Sequence, residues 1–350
     1  MNGTGMAEKT PAVTVDGLTK AYGAHLAVDG LSFTVERGEV FGLLGPNGAG
    51  KTTTVETLEG YRAPDAGTAR VLGLDPIRDH KALTPRMGVM LQEGGLYPGI
   101  RPLEALRLFA AYYADHEDPE TLLDIVGLRP VAGTLVRRLS GGQKQRLSLA
   151  LALVGKPAVV FLDEPTAGMD PHARLTTWEV VLGLKARGAT VILTTHAMDE
   201  AERLCDRVAI IDGGHLVALG TPGDLTRSAG GGETRFTADP GLDTADLAAA
   251  LVLAPAAVAE SKPGEYVVHA APSPELVATL TAWLRDHGVA LGDLRAGRRT
   301  LEEVFLQVTA EPSTAGGEDE EVNVPGGRRG RRSRRAGRSQ TRSASGRAGS

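Results

Sequence analysis

The nine residues Gly45-Pro46-Asn47-Gly48-Ala49-Gly50-Lys51-Thr52-Thr53 restrict what this chain can fold into more than any other stretch. They lie between the apolar run Val40 to Leu44, which reads as a buried strand, and Thr52 to Glu59, which reads as the start of a helix. Glycines let the backbone wrap closely, so that successive N–H groups can face phosphate oxygens. The helix N-terminus adds partial positive charge in the same place. Lys51 supplies a full charge, and the Thr52 hydroxyl is placed for Mg2+. A glycine-rich turn by itself marks only a turn. The whole G-x-x-x-x-G-K-T pattern in a strand–loop–helix setting predicts binding of a nucleoside triphosphate.

Two further apolar runs end in polar chemistry. Ala158 to Leu162 leads into Asp163-Glu164, and Thr190 to Thr195 leads into His196. Near-continuous apolar runs fit parallel strands buried on both faces. Open parallel sheets bind ligands at the carboxyl ends of their strands, which is where all three sets lie. Adjacent carboxylates on a strand point to opposite faces, so one can hold Mg2+ while the other meets water.

Around these strands the pattern is mixed. Val13 to Val15 and Leu31 to Val35 read as short strands with Tyr22 in the turn between them. Arg70 to Leu72 and Arg86 to Leu91 read as strands, the latter closed by Gln92. From Pro102 to Val136 apolar residues recur at three- and four-residue spacing, an all-helical insertion. Leu139-Ser140-Gly141-Gly142-Gln143 opens a helix to about Val154, with Ser140 and Gln143 fitting a capping box. Trp178 to Ala186 reads as a helix, and Val208 to Ile211 with Leu216 to Ala218 as a hairpin. After Gly230-Gly231-Gly232 comes a second unit in the order β-α-β-β-α-β, with Val289 to Leu294 as its last strand. Leu301 to Val308 closes as a helix whose apolar residues anchor it to that unit.

The boundaries expected are a flexible N-terminus (1–12), the nucleotide-binding unit (13–225, helical insertion about 93–156), a linker (226–233), a C-terminal α+β accessory domain (234–310) and a disordered tail (311–350). One cysteine, Cys205, excludes internal disulfides and a cysteine-based zinc site. Met1 to Ala12 has no apolar core of signal-peptide type, and Leu247 to Ala259, interrupted by Pro255, is too short to span a bilayer. A soluble chain is expected, with any membrane role exercised through a partner.

The net charge of −5 conceals an asymmetry. Nine arginines and no acidic residue lie from Arg328 onward, leaving 29 Lys and Arg against 43 Asp and Glu elsewhere, a balance of −14. The basic tail reads as a disordered, solvated segment. With no aromatic interleaved it lacks the stacking of a single-strand nucleic-acid binder. A third reading is attraction to an anionic membrane surface, about 1 kcal/mol per nearby basic residue.

In this order, the phosphate loop, residues 139–143, Asp163-Glu164 and His196 resemble the ATP-binding subunit of ABC transporters, over Val13 to about Leu225. The resemblance implies an α/β fold: a P-loop NTPase ABC cassette with a mostly parallel sheet core, an antiparallel β part and a helical insertion. Beyond it, the β-α-β-β-α-β order of the small C-terminal domain reads as α+β and ferredoxin-like. The resemblance also implies an ATPase working as a head-to-tail homodimer with ATP and Mg2+ sandwiched between subunits. Gly45, Pro46, Asn47, Gly48, Ala49, Gly50, Lys51, Thr52 and Thr53 would then bind phosphates and magnesium, and Tyr22 would stack on adenine. Gln92 would sense magnesium where a membrane partner docks. Asp163 would hold magnesium through water, Glu164 act as general base, and His196 steady the γ-phosphate. Ser140, Gly141, Gly142 and Gln143 would reach the partner chain's nucleotide, and Asp170 would couple the two sites.

Gly168-Met169-Asp170-Pro171, residues 195–202 and Leu301-Glu302-Glu303-Val304-Phe305-Leu306 are similar to the daunorubicin-resistance type of exporter subunit. That type implies export of drugs, lipids or polysaccharides through a separate integral-membrane permease at the cytoplasmic face, with the closing helix also contacting the partner. The alternative is a soluble ABC ATPase acting on nucleic acid or ribosomes. Such relatives carry long coiled coils, zinc modules or two cassettes, whereas this chain has one uninterrupted cassette. A kinase would leave residues 139–143 without a role.

Overall fold

The computed structural model describes residues 10–90, 95–228, 233–296 and 300–310. The chain opens with a hairpin of β1 (Val13–Tyr22) and β2 (His25–Val35), then β3 (Val40–Leu44) and α1 (Lys51–Leu58). β4 (Ala66–Val71), the short α2 (His80–Leu83) and β5 (Met87–Met90) precede the helical region of α3 (Pro102–Ala110), α4 (Pro119–Ile125) and α5 (Gly141–Leu153). There follow β6 (Val159–Asp163), α6 (Pro171–Ala186), β7 (Thr190–Thr195), α7 (Met198–Leu204), β8 (Arg207–Asp212), β9 (His215–Gly220) and α8 (Pro222–Ser228). The second unit contains β10 (Thr234–Thr237), α9 (Thr244–Ala250), β11 (Val258–Lys262), β12 (Glu265–Val268), α10 (Pro274–Asp286), β13 (Leu294–Ala296) and α11 (Leu301–Ala310).

The central sheet has the order β5-β6-β7-β3-β8-β9, parallel except for β9, which returns antiparallel from β8. Its inner strands β3, β6 and β7 are buried along nearly their whole length because both faces are covered. Val40, Leu44, Val160, Leu162, Val191 and Leu193 face one core, shared with the helices, while Phe41, Leu43, Val159, Phe161 and Ile192 face the other. The second core lies against a separate antiparallel sheet of order β2-β1-β4, where Phe33 stacks on Phe41 with ring centres 5.2 Å apart. β1 is far longer than the three residues expected, and it carries Tyr22 as its last residue rather than in a turn.

α6 begins at Pro171, seven residues before the expected start at Trp178. Asp170 caps it, accepting from Ala173 N at 2.9 Å, and Pro171 supplies a first helical residue that needs no N–H. α8 carries helix to Ser228, past the expected cassette boundary at 225. The Gly230–Gly232 break and the 311–350 tail, including its arginines, lie outside the described residues.

The second unit is a four-stranded antiparallel sheet of order β11-β12-β10-β13, with α9 and α10 contributing to its core around Phe236, Tyr266, Leu280 and Trp283. This is the ferredoxin-like split βαβ plan. Its last strand is Leu294–Ala296 rather than Val289 to Leu294. The turn before it is held by Gly292 N donating to Thr237 O at 2.8 Å. α11 departs from expectation more consequentially. Leu301, Phe305 and Val308 pack into the cassette core and not into the small sheet, beside α7, α8 and β9.

Candidate active site

The phosphate loop follows β3, whose five residues are all buried. A side chain at Gly45 would place its Cβ 2.3 Å from the Ile211 carbonyl oxygen, so the loop can leave the sheet there only as glycine. Gly50 has φ 101 and would meet the Ala27 oxygen at 2.3 Å. It is the N-cap of α1, and no side chain caps that helix. The first N–H groups of α1 therefore remain as donors facing the loop, with the positive end of the helix dipole behind them.

Lys51 is 8% exposed, and its ammonium donates to Gly45 O at 2.7 Å and Pro46 O at 3.0 Å. Burial lowers its pKa, opposed by the nearby charges of Glu164 and Asp163. The cleft over the loop, about 320 Å³, is lined by Asn47 to Thr53 together with Tyr22, His25, Asp163 and Glu164. Phosphate-binding donors, two carboxylates and an aromatic thus converge on one space.

Asp163 ends β6 and pairs with Thr194 of β7, whose hydroxyl donates to its carboxylate. Burial raises the Asp163 pKa, with the Thr194 hydrogen bond pulling the other way. Glu164 takes φ 48, a left-handed conformation unusual for a non-glycine residue, and is held in it by Glu164 N donating to Thr194 O at 3.1 Å. A strained backbone maintained at a strand end is a mark of functional sites. His196, immediately after β7, brings Nδ1 to 3.2 Å from Glu164 Oε1.

Tyr22 is 40% exposed, with the Arg62 guanidinium 5.3 Å and the Lys20 ammonium 5.9 Å from its ring centre. His25, its partner across the hairpin, also lines the cleft and was not anticipated; the pairing Tyr22↔His25 is invisible while the strand is taken to end at Val15.

Residues 140–143 do not line the cleft. They start α5 with a complete capping box: Ser140 Oγ accepts from Gln143 N at 3.2 Å, and Gln143 Oε1 accepts from Ser140 N at 2.9 Å. Met169 lies beside Gly142, and the Asp170 carboxylate, capping α6, is held below its usual pKa by the Ala173 N–H. Gln92 lies outside the described residues.

Among the described residues no group of three His, Cys, Asp or Glu side chains forms a metal site. The donors at hand are the Thr52 hydroxyl and the Asp163 carboxylate. That set suits Mg2+, which takes one or two protein ligands and completes its shell with water and substrate phosphates.

A second cleft, about 380 Å³, adjoins the first and is lined by Gly45, Pro46, Asn47, Glu164, His196, Met198 and Phe305. The place of Phe305 was not foreseen, because the apolar stripe of α11 does not say which surface it covers.

Comparison with known proteins supports the same chemistry. Residues 28–167 match the family described as ABC transporter. Nod factor export ATP-binding protein I of Ralstonia nicotianae is 41% identical, over 86% of this chain and 94% of that protein. Daunorubicin resistance ATP-binding protein DrrA3 of Streptomyces coeruleorubidus is 36% identical, over 86% and 96%. A solved structure described as the ATP binding subunit of an ABC transporter superposes with a TM-score of 0.57 at 30% identity, covering 62% of this chain and 92% of its own. Likeness over nearly the full length of these relatives, joined to a phosphate loop, an Asp-Glu pair and a histidine at adjacent strand ends, places the chain in the family of ABC transporter ATP-binding proteins.

Proposed function

We propose that the chain is the ATP-hydrolysing subunit of an ABC exporter, acting as a homodimer beneath a separate integral-membrane permease. The observation that carries hydrolysis is the meeting of the phosphate loop, Asp163, Glu164 and His196 where β3, β6 and β7 end side by side. Export is supported by the names of the relatives, which concern Nod factor export and daunorubicin resistance, and the class of cargo (drug, lipid or polysaccharide) by the likeness of residues 168–171, 195–202 and 301–306 to the daunorubicin-resistance type. No helix among the described residues is long and apolar enough to cross a membrane, so the transmembrane path is assigned to another chain. The subunit then sits at the cytoplasmic face, where the charge of the Arg-rich tail favours anionic lipid.

In this reading Lys51 and the N–H groups at the start of α1 hold the β- and γ-phosphates, while Tyr22 takes the adenine. Thr52 and Asp163 would hold Mg2+, which when bound offsets phosphate charge. Glu164 accepts a proton from the attacking water, and His196 orients Glu164 and the terminal phosphate. Residues 140–143 stand apart from their own chain's cleft, which supports a second copy supplying them across a dimer, with Asp170 between the two sites.

The test is ATP hydrolysis by the purified full chain, with oligomeric state followed in ATP and magnesium. Turnover together with ATP-dependent dimerisation supports the reading. A chain that remains monomeric and inactive, even with its permease, overturns it. Co-purification with RNA in place of a membrane protein would instead favour the soluble ATPase alternative.

A further inference from the structure

The second cleft has a wall that the nucleotide-binding unit does not itself provide. Gly45, Pro46 and Asn47 bound it on the loop side and Glu164 and His196 on the other, while Met198 of α7 and Phe305 of α11 supply its apolar part. Phe305 is half-buried, packed partly into the cassette core and partly lining the cleft.

α11 is held in place by contacts other than Phe305. Leu301 is fully buried and Val304 is 2% exposed. Leu301 N donates to Glu202 Oε1 at 2.7 Å, and Glu202 belongs to α7, whose first residue lies two positions after His196. On the same helix Glu303 approaches Arg235 of β10 at 3.6 Å. The small domain, α11 and α7 are therefore joined by contacts, and α7 follows His196 directly along the chain.

His196 has 69% of its side chain exposed, so its orientation at Glu164 depends on what borders it. An apolar ring bounding the same cleft as the imidazole limits the orientations that the imidazole can take beside the carboxylate. We propose that Phe305 is a positioning residue of the hydrolytic cleft, through which the C-terminal domain sets the stance of His196 and Glu164 and so the rate of ATP turnover. This rests on the roles assigned to Glu164 and His196 above.

The test uses the full chain with Phe305→Ala, Phe305→Val and Phe305→Leu, and Leu306→Ala as the control on the 59% exposed neighbour. ATP affinity, steady-state turnover and thermal midpoint are measured for each. Phe305→Ala should lower kcat about fivefold or more with the ATP Kd held within about twofold, a loss confined to the reacting state. Val and Leu should restore kcat in order of apolar volume, so the result does not depend on any single variant folding. Leu306→Ala should match the parent. Folded Phe305 variants with parental kcat, or variants in which Kd weakens as much as kcat falls, would overturn the proposal. Glu164→Gln is run alongside: turnover lost in it but normal in the Phe305 series sinks this inference alone, whereas turnover retained in it sinks the reading of the cleft and this inference together.

Discussion

Glu164 and His196 meet across neighbouring strand ends, with Nδ1 of the imidazole 3.2 Å from Oε1 of the carboxylate. The contact depends on a backbone conformation at Glu164, φ 48, that costs a non-glycine residue about 1–3 kcal/mol. A carboxylate kept there against that cost should be required in the reaction. Glu164→Gln, which preserves shape and removes basicity, should lower ATP turnover by about 100-fold or more while leaving ATP binding intact. The variant should collect as an ATP-bound dimer in size-exclusion chromatography; a monomer under those conditions would argue against Glu164 as the base.

Lys51 donates to two carbonyls of its own loop, 2.7 and 3.0 Å away, and is thereby aimed across the space the phosphates would take. Lys51→Ala should weaken ATP binding by about 10- to 100-fold, the range expected for one hydrogen bond to a charged group. Equilibrium binding of a fluorescent ATP analogue reads this directly. Parental affinity in the variant would remove the loop from the binding site.

Ser140 allows a local role to be separated from one across the dimer. Its capping bond to Gln143 N predicts that Ser140→Ala loses about 1 kcal/mol of stability in chemical denaturation. Ser140→Asp keeps a capping group but adds negative charge where a partner's phosphates would lie. It should fold with parental stability, bind ATP as a monomer, and fail to dimerise or turn over. Full turnover in Ser140→Asp would leave the cap as the residue's whole role.

Glu59, at the C-terminal end of α1, is 3% exposed, and burial, followed by the charges of Asp163 and Glu56, pushes its pKa up to about 8. In the unfolded chain the group ionises near the ordinary 4.5. The folded state therefore holds a proton that the unfolded state gives up between those values. Its contribution is fully present below about pH 4.5 and is lost as pH rises towards 8, by up to about 1.4 kcal/mol per pH unit. Glu59→Gln should flatten this part of the stability profile in urea titrations from pH 5 to 8. An unchanged slope would mean that Glu59 is ionised in the folded protein.

What could be read in advance was local. The loop after β3, the carboxylates after β6 and the histidine after β7 each follow a run of apolar residues, and parallel strands bring their carboxyl ends to one edge. The β-α-β-β-α-β order of the second unit was also legible, since its strands and helices are short and set apart by turn residues. The start of α6 was missed although Asp170-Pro171 carries the usual cap-and-proline signal, because the apolar pattern becomes regular only from Trp178. The destination of α11 was not legible at all. An apolar stripe shows that a helix is covered, but it does not say by what, and Leu301 and Phe305 would have satisfied either neighbour.

The docking of α11 also bears on how the protein is made. Translation completes the six-stranded sheet at Gly220, yet Leu301, Phe305 and Val308 of α11, which pack into the cassette core beside α7, come well after it. Throughout that interval the part of the cassette core that α11 covers stays open in the nascent chain, which is a setting for chaperone engagement. A product cut short after the sheet would be aggregation-prone rather than a smaller working unit.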